Sequence, residues 1–344
     1  MSHILVTEKF PLVHITLNRP HALNALTHEM VTDITGLLYR YRDNDAVEAL
    51  VFSGAGDRAF CAGGDIKMVH QAGREWINNG RQGTNPVWYY FREEYEMNAI
   101  IHHYPKPIIS LCHGFVMGGG YGVAGNGSHI VTDDTTRFAM PETSIGFFPD
   151  VGIGWKLARC PGSIGVYVAL MAGIYDADLM IRANLATHSV ASNALALLHE
   201  ARNMAEIEEI LAVHSKTHVS TPIDYESIKR HFSQNSLSEI FASLNSEKSD
   251  FSAKTLTMLQ SRSPMSLQVT FQHVQRAGQE DYDTAIARDY RLSCAFLEQP
   301  DIYEGIRAAV IDKDRKPEWQ HQEISDISQA DIDYYLKFSD HGKI

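Results

Sequence analysis

Two carboxylates, Glu142 and Asp150, stand in the segment RFAMPETSIGFFPDVG (residues 137–152), each directly after a proline in a stretch otherwise short of charge. Acidic side chains rarely sit among apolar neighbours unless a partner or a reaction holds them there. As a pair they suit acid–base or nucleophilic work. The alternative is structural. Glu142, after Pro141, fits the first turn of a helix, where it would meet the positive end of the dipole. Asp150, after Pro149, fits the N-cap of a helix over about 151–158. The residues alone leave both readings open.

Two further segments are built to expose backbone N–H groups: AFCAGGDI (59–66) and HGFVMGGGYGVAG (113–125). Glycine permits positive φ and close backbone approach, and a helix start leaves its first N–H groups unpaired. Two such groups converging on one point would stabilise charge developing on a carbonyl oxygen. A phosphate-binding turn, or a merely tight one, is the competing reading. The segments lack the GKS or GKT of a P-loop, and a dinucleotide fingerprint would lie on the first strand. Cys61 has no base evident nearby and reads as a buried small residue rather than a nucleophile. His113 has no GxSxG partner and reads as structural, and Asp65 reads as the cap of the next helix.

These residues need a frame. VHITLNRP (13–20), EALVFSG (48–54), KPIISLCHG (106–114) and SHIVTDD (128–134) are short β-rich runs. A helix capped by Thr27 is predicted over about 28–43. Strands alternating with helical stretches indicate βαβ units and a mostly parallel sheet. Beyond about residue 190 helices are predicted over 191–213, 224–244, 249–262, 264–279 and 281–299, with Ser192 and Pro264 as starts and Pro300 as a stop. KTHVSTPIDY (216–225) is the expected surface connection. The chain of 344 residues thus reads as α/β: a core over 1–190 and a helical C-terminal region over 191–344.

Composition narrows the function. With 44% hydrophobic and 21% charged residues the chain is an ordinary globular protein. A net charge of −12 argues against a nucleic-acid binder, which would need a basic face. No apolar run reaches the 18 residues of a membrane span, and MSHILVTEKF shows no secretory signal. Four dispersed cysteines without CxxC spacing, and no HExxH cluster, predict neither disulfides nor metal and fit a reducing cytoplasm.

LNRPHALNAL, AFCAGGDI, HGFVMGGGYG and FAMPETSIGFFPDVG follow one another in the order found in the crotonase (enoyl-CoA hydratase/isomerase) superfamily, which the chain resembles. FREEY (91–95), NLATH (184–188), SPMSL (263–267) and EGIRAAVIDKDRKPEW (304–319) resemble its 3-hydroxyisobutyryl-CoA hydrolase branch. The resemblance implies a crotonase-like fold of repeated ββα units forming two nearly perpendicular sheets, with a helical C-terminal part. It implies an acyl-CoA substrate, with coenzyme A entering as part of that substrate and no separate cofactor or metal. Gly64 and Gly119 match the family's oxyanion hole, Glu142 its retained glutamate and Asp150 the hydrolase's aspartate. Glu94 matches a carboxylate near the substrate, although a glutamate on a helix face is most often solvated. The hydratases' other glutamate would fall at Gly122, which has no side chain to move a proton. The branch usually has glycine where this chain has Ile153, a departure bearing on acyl preference.

The function so implied is hydrolysis of 3-hydroxyisobutyryl-CoA, or a close short β-hydroxyacyl-CoA, in valine breakdown. A hydratase or isomerase using Glu142 alone, and a non-catalytic CoA-binding protein, are the alternatives. No nucleic-acid or membrane partner is expected. A homo-oligomer is one arrangement the superfamily's habits imply.

Overall fold

The computed structural model describes residues 2–216 and 223–338. Residues 217–222 of the expected surface connection lie outside the described residues. Contacts gather the chain into two compact units, neither of which is a continuous stretch. One comprises Met1–Gly64, Glu96–Ala139 and Ile174–Pro222, and the other Asp65–Tyr95, Met140–Gly173 and Ile223–Ile344. The switch to helix near residue 190 is therefore not the line along which contacts divide.

The first unit holds every described strand: β1 (Ile4–Lys9), β2 (Leu12–Leu17), β3 (Ala49–Gly54), β4 (Ala59–Cys61), β5 (Ile108–Cys112), β6 (Phe115–Met117), β7 (His129–Thr132), β8 (Arg137–Ala139), β9 (Ile174–Tyr175) and β10 (His188–Ser189). Six of them form one sheet in the order β1-β2-β3-β5-β7-β10, and four form another, β4-β6-β8-β9. The repeat is visible in the chain order. β3, β5 and β7 enter the larger sheet, and β4, β6 and β8, immediately after them, enter the smaller one. All pairings from β2 to β10 in the large sheet are parallel, and the antiparallel exceptions are β1–β2 and β8–β9. β3 and β5 are buried almost throughout, which is why they read as continuous apolar runs rather than alternating ones. Val51, Ile109, Leu111 and Val131 pack with Leu198, Ile207 and Leu211 from helices Ser192–Glu200 and Met204–His214. Each such side chain stabilises by about 1.5–3 kcal/mol through burial.

Helix His28–Arg42 begins as predicted, with Thr27 accepting from the Met30 N–H. The expected 191–213 helix is two helices, because Asn203 caps a new start by accepting from Glu206 N. The 224–244 helix likewise divides into Tyr225–Phe232 and Leu237–Ser246, the second capped by Ser236. Ser192 is the first residue of helix Ser192–Glu200, as expected of a start.

In the second unit every described regular element is helical. Ser263 caps helix Pro264–Ala277, whose Leu267 and Phe271 pack on Leu170, Met171, Phe232 and Leu259. Asp281 caps helix Tyr282–Leu297 through Thr284 N. Pro300 does not merely stop that helix. It occupies the first turn of the next, Pro300–Ile306, where its fixed φ suits a start and its missing N–H has no partner to lose. Asp65 precedes helix Ile66–Asn78, but its side chain makes no cap hydrogen bond.

Candidate active site

In the first unit, parallel β4 and β6 each run into one of the glycine segments. Gly63 has φ +103, and a Cβ there would lie 3.1 Å from Met117 O and 3.6 Å from Gly119 N. A Cβ on Gly120 would come within 2.2 Å of Cys61 O. The two turns thus pack backbone against backbone, which only glycine allows. Gly119 opens the short helix Gly119–Gly125. Neither Gly64 N nor Gly119 N finds an acceptor among the described residues. Two N–H groups left free on adjacent turns can bind an anion or a polarised carbonyl oxygen. Gly122 lies buried within the same helix, its carbonyl accepting from Asn126 Nδ2 at 2.8 Å.

Cys61 is fully buried and its thiol donates to Asn24 O at 3.0 Å. His113 places Nε2 3.0 Å from Gly56 O. Both tie the glycine turn to its neighbours, as expected of structural residues.

The carboxylates belong to the second unit. Glu142 begins the 3-10 helix Glu142–Ile145, with Pro141 before it. Its side chain is buried, and Oε2 has no hydrogen-bond partner among the described residues. Burial pushes its carboxyl well above the usual range, and the charges of Asp150 and Glu94 add to that, while its own backbone N–H opposes them. Placement at a helix start and chemical availability therefore coexist in this residue.

Asp150 departs from the expected cap. The helix starts at Ile153, with Gly152 in the cap position, and runs only to Leu157. Val151 takes a left-handed φ of +54, so the chain turns before the helix begins. Asp150 contributes its carbonyl, accepting from Ile153 N at 3.0 Å. Its carboxylate is turned to another use. Tyr95 donates its hydroxyl to Oδ2 at 2.6 Å, and the Tyr95 and Ser293 hydroxyl oxygens are 2.6 Å apart. Burial raises the Asp150 carboxyl to about 7, against the lowering effect of Tyr95 and with the charge of Asp289 adding to the rise.

Glu94 is not solvated. It lies in helix Pro86–His102, is 2% exposed, and leaves Oε1 without a hydrogen bond among the described residues. Burial, then the charge of Asp150, pushes its carboxyl well up, while Tyr90 favours the charged form. Three buried carboxyls thus disfavour one another's ionisation, the condition under which a group can be an acid or a base near neutral pH.

Aromatic packing carries the Asp150 segment inward. Phe147 stacks on Phe91 at 5.5 Å and meets Phe296 at 5.4 Å, and Phe148 stacks on Phe296 at 5.5 Å. Sequence reasoning did not single out Tyr95, Ser293 or Asp289. Tyr95 adjoins Glu94 in FREEY, but only the folded chain brings in Ser293, 198 residues further on. Ile153 is fully buried at the start of its helix.

The sequence profile described as Enoyl-CoA hydratase/isomerase matches residues 12–336. The chain is 35% identical to a Homo sapiens protein named 3-hydroxyisobutyryl-CoA hydrolase, mitochondrial, over 94% of this chain and 85% of that one. It is similar to a crystal structure titled as a carnitinyl-CoA dehydratase from Mycobacterium thermoresistibile, with a TM-score of 0.91, 32% identity and coverage of 98% and 96% of the two chains. A structure titled as an enoyl-CoA hydratase from Rhodobacter sphaeroides 2.4.1 gives a TM-score of 0.88, 35% identity and 97% coverage of each. The two-sheet α/β architecture, its helical C-terminal region and these likenesses agree: the chain belongs to the enoyl-CoA hydratase/isomerase, or crotonase, superfamily.

Proposed function

We propose that this protein hydrolyses the thioester of 3-hydroxyisobutyryl-CoA, or of a close short β-hydroxyacyl-CoA, as a step of valine breakdown. The observation that carries the proposal is the pairing of Glu142 with Asp150 in one buried group of carboxyls, while Gly122 stands where a hydratase needs a second glutamate. The names of relatives at about 35% identity support it. In the proposed reaction the N–H groups of Gly64 and Gly119 act as the oxyanion hole, taking up the charge that develops on the thioester oxygen. Glu142 works in its ionised form. It attacks the carbonyl carbon, the C–S bond breaks, CoA leaves as the thiolate, and water then opens the mixed anhydride. Alternatively it draws a proton from a water that makes the same attack. A burst of thiol ahead of free acid in rapid-quench experiments marks the anhydride route. Asp150, acting in its ionised form, and Glu94 receive the acyl group, and a buried group facing the β-hydroxyl would be left unpaired by an unhydroxylated analogue.

The substrate's own coenzyme A is the only cofactor in this reading, and the reducing cytoplasm is the proposed location, in keeping with four free cysteines. No described helix is long and apolar enough to cross a membrane. A second reading, hydration or dehydration of an enoyl-CoA with Glu142 alone, is favoured by the titles of the similar crystal structures. Supplying 3-hydroxyisobutyryl-CoA and crotonyl-CoA, while following thiol release and enoyl absorbance separately, decides between them. Thiol release from the first substrate is expected. Loss of enoyl absorbance without thiol release would overturn the hydrolase.

A further inference from the structure

We infer that Asp289 is a positioning residue for Asp150: by binding the N–H of Gly152 it holds the left-handed turn at Val151 and so aims the Asp150 carboxylate. This rests on the reading that Asp150 takes part in the reaction. The turn needs a holder. A β-branched residue at φ +54 is strained by about 1–3 kcal/mol, and such a conformation persists only where its surroundings over-determine it. Gly152 follows with φ +78, and a Cβ there would lie 2.5 Å from the Tyr282 hydroxyl. The turn is thus pressed against helix Tyr282–Leu297, which carries Asp289.

Asp289 is fully buried, and its Oδ2 accepts from Gly152 N at 2.8 Å. A bond from an amide to a buried carboxylate is charge-assisted and about twice as strong as a neutral one. The other oxygen, Oδ1, lies 3.1 Å from His273 Nε2, with no hydrogen bond between them. The tautomer of that ring is fixed from its far side. Arg288 Nε donates to His273 Nδ1 at 3.1 Å, and since arginine only donates, Nδ1 must hold the lone pair. The proton of the neutral ring therefore sits on Nε2, facing Asp289. Gly154 makes room for it, because a Cβ at that position would come within 2.2 Å of Nε2. Arg288 is itself paired with Glu280. Glu280 and Arg288 thus orient the His273 ring beside Asp289, and Asp289 itself bonds the peptide behind Asp150.

The same placement has an electrostatic effect. Glu94 and Tyr95, Glu142, and Asp289 face Asp150 from the elements around it. His273, Tyr282, Tyr95 and Asp150 face Asp289 in turn. The negative charge of Asp289 makes Asp150 hold its proton to higher pH, so removing it should release that proton earlier.

Asp289→Asn tests this. The amide keeps the shape but loses the charge that strengthens the bond to Gly152 N–H. We expect kcat for thiol release to fall at least about tenfold with KM nearly unchanged, and the acid limb of kcat/KM to move down by about one pH unit, the low end for a nearby charge. A purely structural role would lower stability without moving that limb. Asp150→Asn run in parallel separates the two ideas. If Asp150→Asn hydrolyses normally, the reading of Asp150 fails. If it is slow while Asp289→Asn keeps the wild-type kcat and limb, the positioning role is overturned. Should Asp289→Asn not fold, His273→Gln and His273→Leu carry the test. Both variants leave the Asp289 charge in place, and leucine removes the polar group beside Oδ1 that offsets it, so the leucine variant's limb should lie higher. Coincident limbs would overturn the inference.

Discussion

Replacing Asp150 with asparagine should flatten the loss of stability that this protein suffers as pH rises. The native carboxyl holds its proton to about pH 7, against an ordinary aspartate value of 3.8, chiefly because burial penalises the charge. A group whose pKa is raised by folding binds its proton more tightly in the native state. Its contribution is therefore complete below about pH 4 and is lost as pH climbs through 7. At about 1.4 kcal/mol per pH unit, the difference is roughly 4 kcal/mol for the whole interval. Glu94 and Glu142 also hold their own protons less firmly once Asp150 is neutral, which lessens their own loss in the variant, so a difference of at least about 4 kcal/mol is expected. Asparagine still accepts from Tyr95, which keeps the 2.6 Å contact available and the shape intact. Equilibrium urea unfolding at half-unit steps from pH 4 to 8 would measure this. Wild-type stability should fall across that range, and the variant's should fall by at least about 4 kcal/mol less. Parallel curves would show that burial of Asp150 does not govern its proton, and the electrostatic account of the site would fail with it.

Other substitutions address separate parts of the site. Glu142→Ala should lower kcat for thiol release from 3-hydroxyisobutyryl-CoA at least about a hundredfold without lowering the thermal midpoint, since it removes a buried carboxyl with an unbonded oxygen. Tyr95→Phe removes a bond that favours the charged form of Asp150, so the acid limb of kcat/KM should move to higher pH, opposite to Asp289→Asn. Gly120→Ala sets a methyl 2.2 Å from Cys61 O. Because that atom is backbone, the turn must shift, lowering stability by about 1–3 kcal/mol in thermal melts and depressing kcat with it.

Much of this was legible in the sequence, for reasons that differ by residue. Glu142 and Asp150 stood out because charge among apolar residues is costly wherever the chain folds, and both are buried. β3 and β5 stood out because strands covered on both faces are apolar throughout. The capping role expected of Asp150 depended on local backbone geometry, and a left-handed Val151 is a conformation no local propensity predicts. The long C-terminal helices broke where Asn203 and Ser236 preferred to cap, since a side chain that can bond the backbone locally competes with helix continuation. Tyr95 and Asp289 were invisible for a different reason. Each is an ordinary polar residue on a helix, and its meaning comes from a partner 55 or 137 residues away.

That last separation has a consequence for how the protein comes into being. Gly152 leaves the ribosome 137 residues before the Asp289 that will hold it. At about 5–20 residues per second this is a wait of roughly 7–27 s. Throughout it Phe147, Phe148 and the strained turn lack Phe296 and Asp289, so the segment that carries Asp150 cannot yet hold its working shape. A nascent chain arrested before helix Tyr282–Leu297 emerges should therefore leave the Phe147–Gly152 segment open to proteases and chaperones, and the site would close only once that helix has emerged.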